Sequence, residues 1–500
     1  MGDWAPDAAR AGVAFAIVFL TFGYLRAKPL VRALSEELLQ IPISTGRLAA
    51  HMGLVVLFGI LSNSLFVPGL PALKADGLTF LWISTAILAP AFAFLAIAPP
   101  RVWAKLIAGT GMLWLYSTAA AIAAMLIGAL VTRLWEPTAN LTFRLVRAML
   151  SPVITNLVAD PTTRIIGTRS FRVIISNQCS GLEGIGLILM FGVLWLWFFR
   201  KECRFPRALL LIPAGIGVLW LANSIRIAAL ILIGNAGAPG VAAGGFHSQA
   251  GWIAFNVVAL GFCVVARQWS WIRLPVEQQS VQESAHEVDQ ANPAAAYLVP
   301  FLMLLAAGMI SRATSSGFEW LYPLRFFAAA GALWYFRARY KTLDWRFGWA
   351  APAIGVLVFG LWLALDLLVG VHGTNKIGTG LAALSEPARV AWIAFRVLAA
   401  VVTVPIAEEL AFRGFLIRRI ISPDFDVLDV KTYTWISLLI SCVAFGLMHG
   451  DRWIAGSIAG LLYAGVMLWR GRIGDAVVAH GVTNALIAVW VLAGGNWQLW

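Results

Sequence analysis

Apolar runs recur along the chain with short polar breaks between them. Runs long enough to cross the hydrocarbon of a bilayer, about 20 residues each, centre near residues 18, 58, 89, 119, 190, 220 and 258, and again near 304, 328, 360, 398, 440, 461 and 485. Within lipid every backbone group must find its partner inside its own helix. The pattern therefore predicts an all-α polytopic membrane protein with about 14 transmembrane helices in two helical-bundle domains. The most polar stretch, Pro275 to Asn292, carries Glu277, Glu283, Glu287 and Asp289 and falls between the two groups of runs. It divides the chain into a first domain (residues 1–270), a polar linker (271–294) and a second domain (295–500).

Composition agrees with this reading. Of the 500 residues 60% are hydrophobic and 12% charged, with a mean hydropathy of +0.82, whereas soluble domains carry about 25% charged residues. An ordinary soluble enzyme is excluded. The net charge of +13 would form blocks in a nucleic-acid binder. Here it sits beside apolar runs, as in Arg200, Lys201, Arg204 and Arg207, or Arg337, Arg339 and Lys341, which is the positive-inside pattern. The partner implied is the lipid bilayer, and no nucleic acid. Basic clusters at Arg26 to Arg32, Arg101 to Lys105, Arg200 to Arg207, and Arg267 with Arg273 follow alternate runs. Those loops are expected to be cytoplasmic and the N-terminus outside.

Three features qualify the picture. The run from Ala11 to Tyr24 lacks a small-residue cleavage site, so it reads as a retained anchor and not a removed signal peptide. The segment from Arg133 to Gln178 carries six arginines although it falls on the outer face; its Val173-Ile174-Ile175 run and the turns at Pro152 and Pro161 predict a small folded cap. Four scattered cysteines, with no C-x-x-C pair, give neither a disulfide framework nor a metal or redox centre, and no cofactor is called for.

Candidate chemistry falls into two constellations. In the first, Asn177-Gln178-Cys179-Ser180-Gly181 places a thiol at the outer end of the fifth run, where a helix N-terminus favours the thiolate. Arg226 is the one charge between Arg207 and His247. A cation at that depth costs at least about 2.5 kcal/mol and is functional by default, unless it snorkels or bridges to Glu183. His247 opens the seventh run on the same side. Thiolate, guanidinium and imidazole are the parts that acyl transfer through a thioester requires.

These residues, Cys in an N-x-C-S-G-like context, Arg in Asn223-Ser224-Ile225-Arg226-Ile227 and a late His, resemble the exosortase family. The resemblance implies a bacterial inner-membrane cysteine transpeptidase or protease with its site on the periplasmic face. Its partners would be exported proteins with a C-terminal sorting signal: a Pro-Glu-containing motif, a hydrophobic helix and a basic tail. By position, Cys179 would be the nucleophile, Arg226 would stabilise the oxyanion or orient substrate, and His247 would be the acid/base.

The second constellation opens with Pro405-Ile406-Ala407-Glu408-Glu409-Leu410-Ala411-Phe412-Arg413. Glu409 and Arg413 are i,i+4 neighbours that can pair, leaving Glu408 about 100° away around the helix. His449 and His480 each lie on an apolar helix, the latter with Asn484 four residues on. Together they can activate water and bind a tetrahedral oxyanion. Glutamate with two histidines could also ligate zinc, but H-E-x-x-H is absent, and a metal-independent site is favoured. Simple alternation of spans sets His449 near the outer end and His480 nearer the inner one, unless the short stretch from Trp435 to His449 is tilted or re-entrant. The pattern E-E-x-x-x-R, F-x-x-x-H, H-x-x-x-N is similar to the CPBP family of intramembrane proteases, related to CAAX prenyl endopeptidases, and implies a glutamate-type endopeptidase.

One chain joining the two resembles the exosortase E/protease fusions of VPEID-CTERM systems. Two other readings compete. A secondary transporter would suit two halves with intramembrane Arg226, Asp366 and Arg396, though the halves share no motif. Alternatively, the second domain is a non-catalytic binding module beside an active first domain.

Overall fold

The computed structural model describes residues 11–16, 18–19, 44–65, 72–176, 179, 181–274, 292–369 and 376–500. Residues 17 and 20–24 of the expected anchor at Ala11 to Tyr24, the basic cluster at Arg26 to Arg32 and the polar stretch from Pro275 to Ala291 lie outside the described residues.

The chain forms two compact units, Met1–Trp135 and Glu136–Trp500. In the first, α1 (Thr45–Leu65) and α2 (Ala72–Ile97) pair antiparallel. Arg47 donates to the Leu95 carbonyl at 2.8 Å, and the ring Nδ1 of His51 meets that of Ala89 at 2.9 Å. Helix α3 (Pro100–Thr110) is bent by 77° against the start of α4 (Leu113–Leu150).

The second unit opens with the end of α4 and a small cap. Strands β1 (Val158–Asp160), β2 (Ile165–Gly167) and β3 (Arg172–Ile174) form an antiparallel sheet in which Val158 faces Gly167 and Ile166 faces Val173. Among the described residues this sheet is the departure from the all-α expectation. It arises where short β-branched runs lie between turn residues. The Asp160 carboxylate accepts bonds from the Thr162 backbone and from both threonine hydroxyls at Thr162 and Thr163, which hold it at about 2, below the usual carboxylate range. Ile154, Ile166 and Ile175 pack on Phe143, Val146 and Leu150 of α4 and on Ile227 and Ile231 of α6 (Arg207–Asn235), with Cys179 against the cluster.

Helices α5 (Leu182–Phe198), α6 and α7 (Pro239–Gln268) complete this half of the unit. The other half comprises α8 (Pro293–Ala313), α9 (Pro323–Tyr335), α10 (Ala350–Val369), α11 (Lys376–Ala382), the 36-residue α12 (Glu386–Ile421), α13 (Trp435–Leu447), α14 (Trp453–Arg470) and α15 (Ile473–Gly494). Its core joins Phe301, Phe412, Phe445, Tyr463 and Met467 to alanines such as Ala407, Ala476 and Ala479. Such small side chains let helices approach closely in lipid.

Among the described residues nine helices are long and apolar enough to cross a membrane, ten if the bent pair is one span. The expected count of about 14 spans is therefore not what the helix lengths give. The runs near 190, 328 and 440 form helices of 17, 13 and 13 residues. Thirteen residues rise only about 20 Å, short of a hydrocarbon layer about 30 Å thick.

Within the second unit the packing runs on past the polar stretch. Just before His247, α7 widens into a five-residue turn of i→i+5 type, Ala242–Phe246. There the Gly245 N–H donates to the Ser315 carbonyl at 3.2 Å. A Cβ on Gly245 would stand 1.7 Å from the Arg312 carbonyl oxygen, so nothing larger than glycine fits. Gly217 has nothing within 4 Å of its would-be Cβ. Gly245→Ala is expected to destabilise the protein by about 2 kcal/mol or more, seen as a lower melting temperature in detergent, whereas Gly217→Ala leaves it equal or higher.

Candidate functional site

The cap and three helices assemble the first constellation. Gly181 ends the approach to α5 with φ +89°, a left-handed turn that glycine adopts without strain. Its missing Cβ admits Asn223, whose Nδ2 donates to the Cys179 carbonyl at 3.0 Å. The Ser176 hydroxyl lies 3.6 Å from the Cys179 sulfur. From α6, Arg226 donates to the His247 carbonyl at 3.1 Å, and among the described residues its Nε is buried without a hydrogen-bond partner. Cys179, Arg226 and His247 line one cavity of about 430 Å³, together with Glu183 and Asn223. Glu183 shares that cavity, yet the bond Arg226 makes is to the backbone that carries His247. The arrangement places a thiol, an imidazole and a cation with a free N–H around one space.

The second constellation is built on α12, which contains two wide turns of i→i+5 type, Ala399–Thr403 and Leu410–Leu416. Such turns occur disproportionately at functional sites. Glu408 and Glu409 lie between them. Glu409 forms an ion pair with Arg413, 3.1 Å from Nε to one carboxylate oxygen, and its other oxygen bonds His480 Nδ1 at 2.9 Å. Arg413 also donates to the Gly460 carbonyl at 2.9 Å and lies 4.2 Å over the Phe445 ring. Both side chains of the ion pair are fully buried. With its Nδ1 held by Glu409, His480 turns Nε2 toward Glu408, 3.9 Å away. His449 donates Nδ1 to the Phe445 carbonyl at 2.9 Å, which leaves Nε2 as its reactive nitrogen. Asn484 donates to the Ala400 carbonyl at 2.7 Å, within the first wide turn.

A cavity of about 290 Å³ is lined by Glu408, His449, His480 and Asn484, while Glu409 and Arg413 stand behind it. The two histidines thus meet in one space, contrary to the expectation that they lie toward opposite membrane faces. Helix α13 is too short to carry His449 across, so its end stops beside α15. Glu408 and the histidines can act on a water and a carbonyl group; Glu409 and Arg413 fix the His480 ring. Among the described residues no group of three or more His, Cys, Asp and Glu side chains is spaced to hold a metal ion.

Sequence reasoning missed Tyr463. Its ring stacks on His480 at 4.9 Å and 15°, and its hydroxyl donates to Thr483 at 2.8 Å. A lone tyrosine in an apolar run carries no signal of this. Trp362, edge-on to His449 at 5.5 Å, was equally silent. The intramembrane charges that suit a transporter are accounted for differently: Asp366 pairs with Arg452 at 2.7 Å, and Arg396 lies 4.1 Å over Tyr322. His286 and His372 lie outside the described residues.

Residues 4–264, more than half of the 500-residue chain, match the transmembrane exosortase (Exosortase_EpsH) family. The chain belongs to that family. This exosortase carries a second domain, since residues 390–486 match Type II CAAX prenyl endopeptidase Rce1-like proteins. The first match contains Cys179, Arg226 and His247, and the second contains Glu408, Glu409, Arg413, His449, His480 and Asn484. Both families imply peptidase activity, and the exosortase family implies substrate proteins with C-terminal sorting signals. The chain is a multi-pass membrane protein. No curated protein and no solved structure matches it.

The geometry separates two kinds of residue in the Rce1-like domain. Removing one partner of a buried ion pair costs about 3–5 kcal/mol. Arg413→Ala is expected to lower the melting temperature and membrane abundance of the exosortase sharply. Glu408→Gln, on the cavity side of the pair, leaves both near wild type.

Proposed function

We propose that this exosortase cleaves exported proteins at a C-terminal sorting signal of the VPEID-CTERM type, at the periplasmic face of a bacterial inner membrane, and that its Rce1-like domain is a glutamate-dependent intramembrane endopeptidase. The observation that carries the first part is the single cavity shared by Cys179, Arg226 and His247. The Cys179 thiolate adds to the scissile carbonyl carbon, and Arg226 stabilises the oxyanion that forms. The C–N bond breaks as His247 gives its proton to the leaving amine. The acyl thioester then passes to water, or to an acceptor amine in a transfer, and the thiol is restored.

In the second site Glu408 takes a proton from water, which adds to the substrate carbonyl. His480 and His449 hold the oxyanion, and Asn484 braces the pocket through its bond to Ala400. This reading is supported by the side-by-side placement of these groups and by the match to residues 390–486. We take the chain as two domains, residues 1–270 and 295–500, joined by the polar linker. With the N-terminus outside, counting the run near residue 18, the bent pair and α5 as crossings puts Cys179 and His247 on the outer side.

A survey of protein C-termini in cells carrying the intact chain, Cys179→Ala, or Glu408→Ala with Glu409→Ala tests the proposal. Cys179→Ala is expected to leave hydrophobic, basic-tailed C-termini uncut on a small set of exported proteins. A survey in which neither variant changes any terminus, with all chains equally abundant, sinks proteolysis and favours a transporter. Loss of function in the cysteine variant alone favours a non-catalytic second domain.

A further inference from the structure

Beside the Glu408 cavity lies a second one of about 420 Å³ whose walls are cationic. Arg312 comes from the end of α8, Arg325 from α9, Lys376 from α11 and Arg396 from α12, against the single carboxylate of Glu319. Glu319 is taken by Arg325 at 2.5 Å, and among the described residues the other three cations form no ion pair. Arg325 lies 4.6 Å and Arg396 4.1 Å from the centre of the same Tyr322 ring. Two guanidinium groups at one ring repel each other, and an anion between them removes that cost. Among the described residues Arg325 Nε is also buried without a hydrogen-bond partner.

The way the cations approach identifies the anion. A carboxylate is planar and is met by one guanidinium fork, whereas a phosphate presents its oxygens out of one plane and takes donors from several sides. Four cations converging from four elements suit the phosphate. Trp392, Trp497 and Trp500 line the same cavity. Indole rings sit at headgroup depth in a bilayer, so they offer an apolar wall to the part of a lipid just below its phosphate. Depth argues the same way: the Arg312 carbonyl abuts Gly245, two residues before His247. In the orientation proposed above that end is the outer one, where the positive-inside bias gives no reason for four basic residues.

We propose that the cationic cavity binds the phosphate headgroup of an anionic membrane phospholipid. Basic pockets between membrane helices take such headgroups, and the tryptophan wall selects a lipid over a free phosphate. Arg325, Arg396 and Trp500 line this cavity and the Glu408 cavity alike. A headgroup seated here therefore neutralises two cations that also face the space around Glu408.

The test uses the full-length protein in maltoside detergent, with dioctanoyl-phosphatidylglycerol, dioctanoyl-phosphatidylcholine and inorganic phosphate as probes. Native mass spectrometry counts what is bound, and the melting temperature is read alongside. Phosphatidylglycerol is expected to bind about tenfold more tightly than phosphatidylcholine, whose choline cation the walls repel. Lys376→Gln, at the exposed rim, and Arg396→Gln are each expected to weaken phosphatidylglycerol alone, by about fivefold. Arg200→Gln, in an exposed basic cluster elsewhere, is expected to change nothing. Equal binding of the two lipids overturns the proposal. An equal loss in Arg200→Gln also does so, because the attraction then belongs to the surface charge as a whole. Inorganic phosphate binding as tightly as phosphatidylglycerol assigns the cavity to a soluble anion and overturns the lipid. Binding is read directly, so none of these outcomes depends on cleavage at Glu408.

Discussion

A charge inside an apolar bundle must be met by a partner, and in the Rce1-like half one carboxylate meets two. Glu409 holds Arg413 with one oxygen and His480 with the other. Arg413 in turn reaches the Gly460 carbonyl of α14 and the Phe445 ring of α13. Four helices, α12 to α15, are thereby tied at one point. Lipid gives helices no hydrophobic reason to associate, so such contacts and the small residues around them specify the packing. The reactive groups are arranged as a consequence: with His480 Nδ1 fixed, only Nε2 is left to face Glu408.

The exosortase site solves a different problem. Cys179 precedes its helix instead of lying within it, so its place is set by the cap that packs on α4 and α6 and by the Asn223 bond to its carbonyl. Arg226 spends one N–H on the His247 backbone and lines the cavity beside it. Wide helical turns are common to the two sites. One immediately precedes His247, and two flank the Glu408-Glu409 pair. Each shifts the phase of the helix that follows, and the first turn in α12 also offers the Ala400 carbonyl that Asn484 takes.

Much of this was legible before any coordinates. Arg226 stands out because an isolated charge in a long apolar run needs a reason. The Glu409 to Arg413 pair, with Glu408 turned away, follows from i,i+4 spacing alone. Helix positions are equally readable: each apolar run within the described residues falls on a helix. Their lengths are less so, because hydropathy averaged over about 20 residues cannot tell a spanning helix from a 13-residue one such as α9; for α13 the short stretch from Trp435 to His449 was the one visible sign. That error alone separated His449 from His480. The wide turns leave no trace in composition, and neither does the stacking of Tyr463 on His480, since both depend on which helices become neighbours. The sheet in the cap was visible only as a short β-branched run.

The polar stretch between the halves marks a change of composition that packing does not respect. The turn carrying His247 is seated on the end of α8 through the Gly245 to Ser315 bond and the close approach to Arg312. From that same end the chain runs on to Glu319 and Arg325, the second of which lines the Glu408 cavity. Residues before the stretch therefore bring a histidine to the first site on a support supplied by residues after it. Without α8 the Gly245 N–H loses its partner, and the wide turn loses the surface that fixes its course into His247. Fusion of the two domains in one chain thus has a structural content: the second bundle is part of the scaffold on which the first site is built.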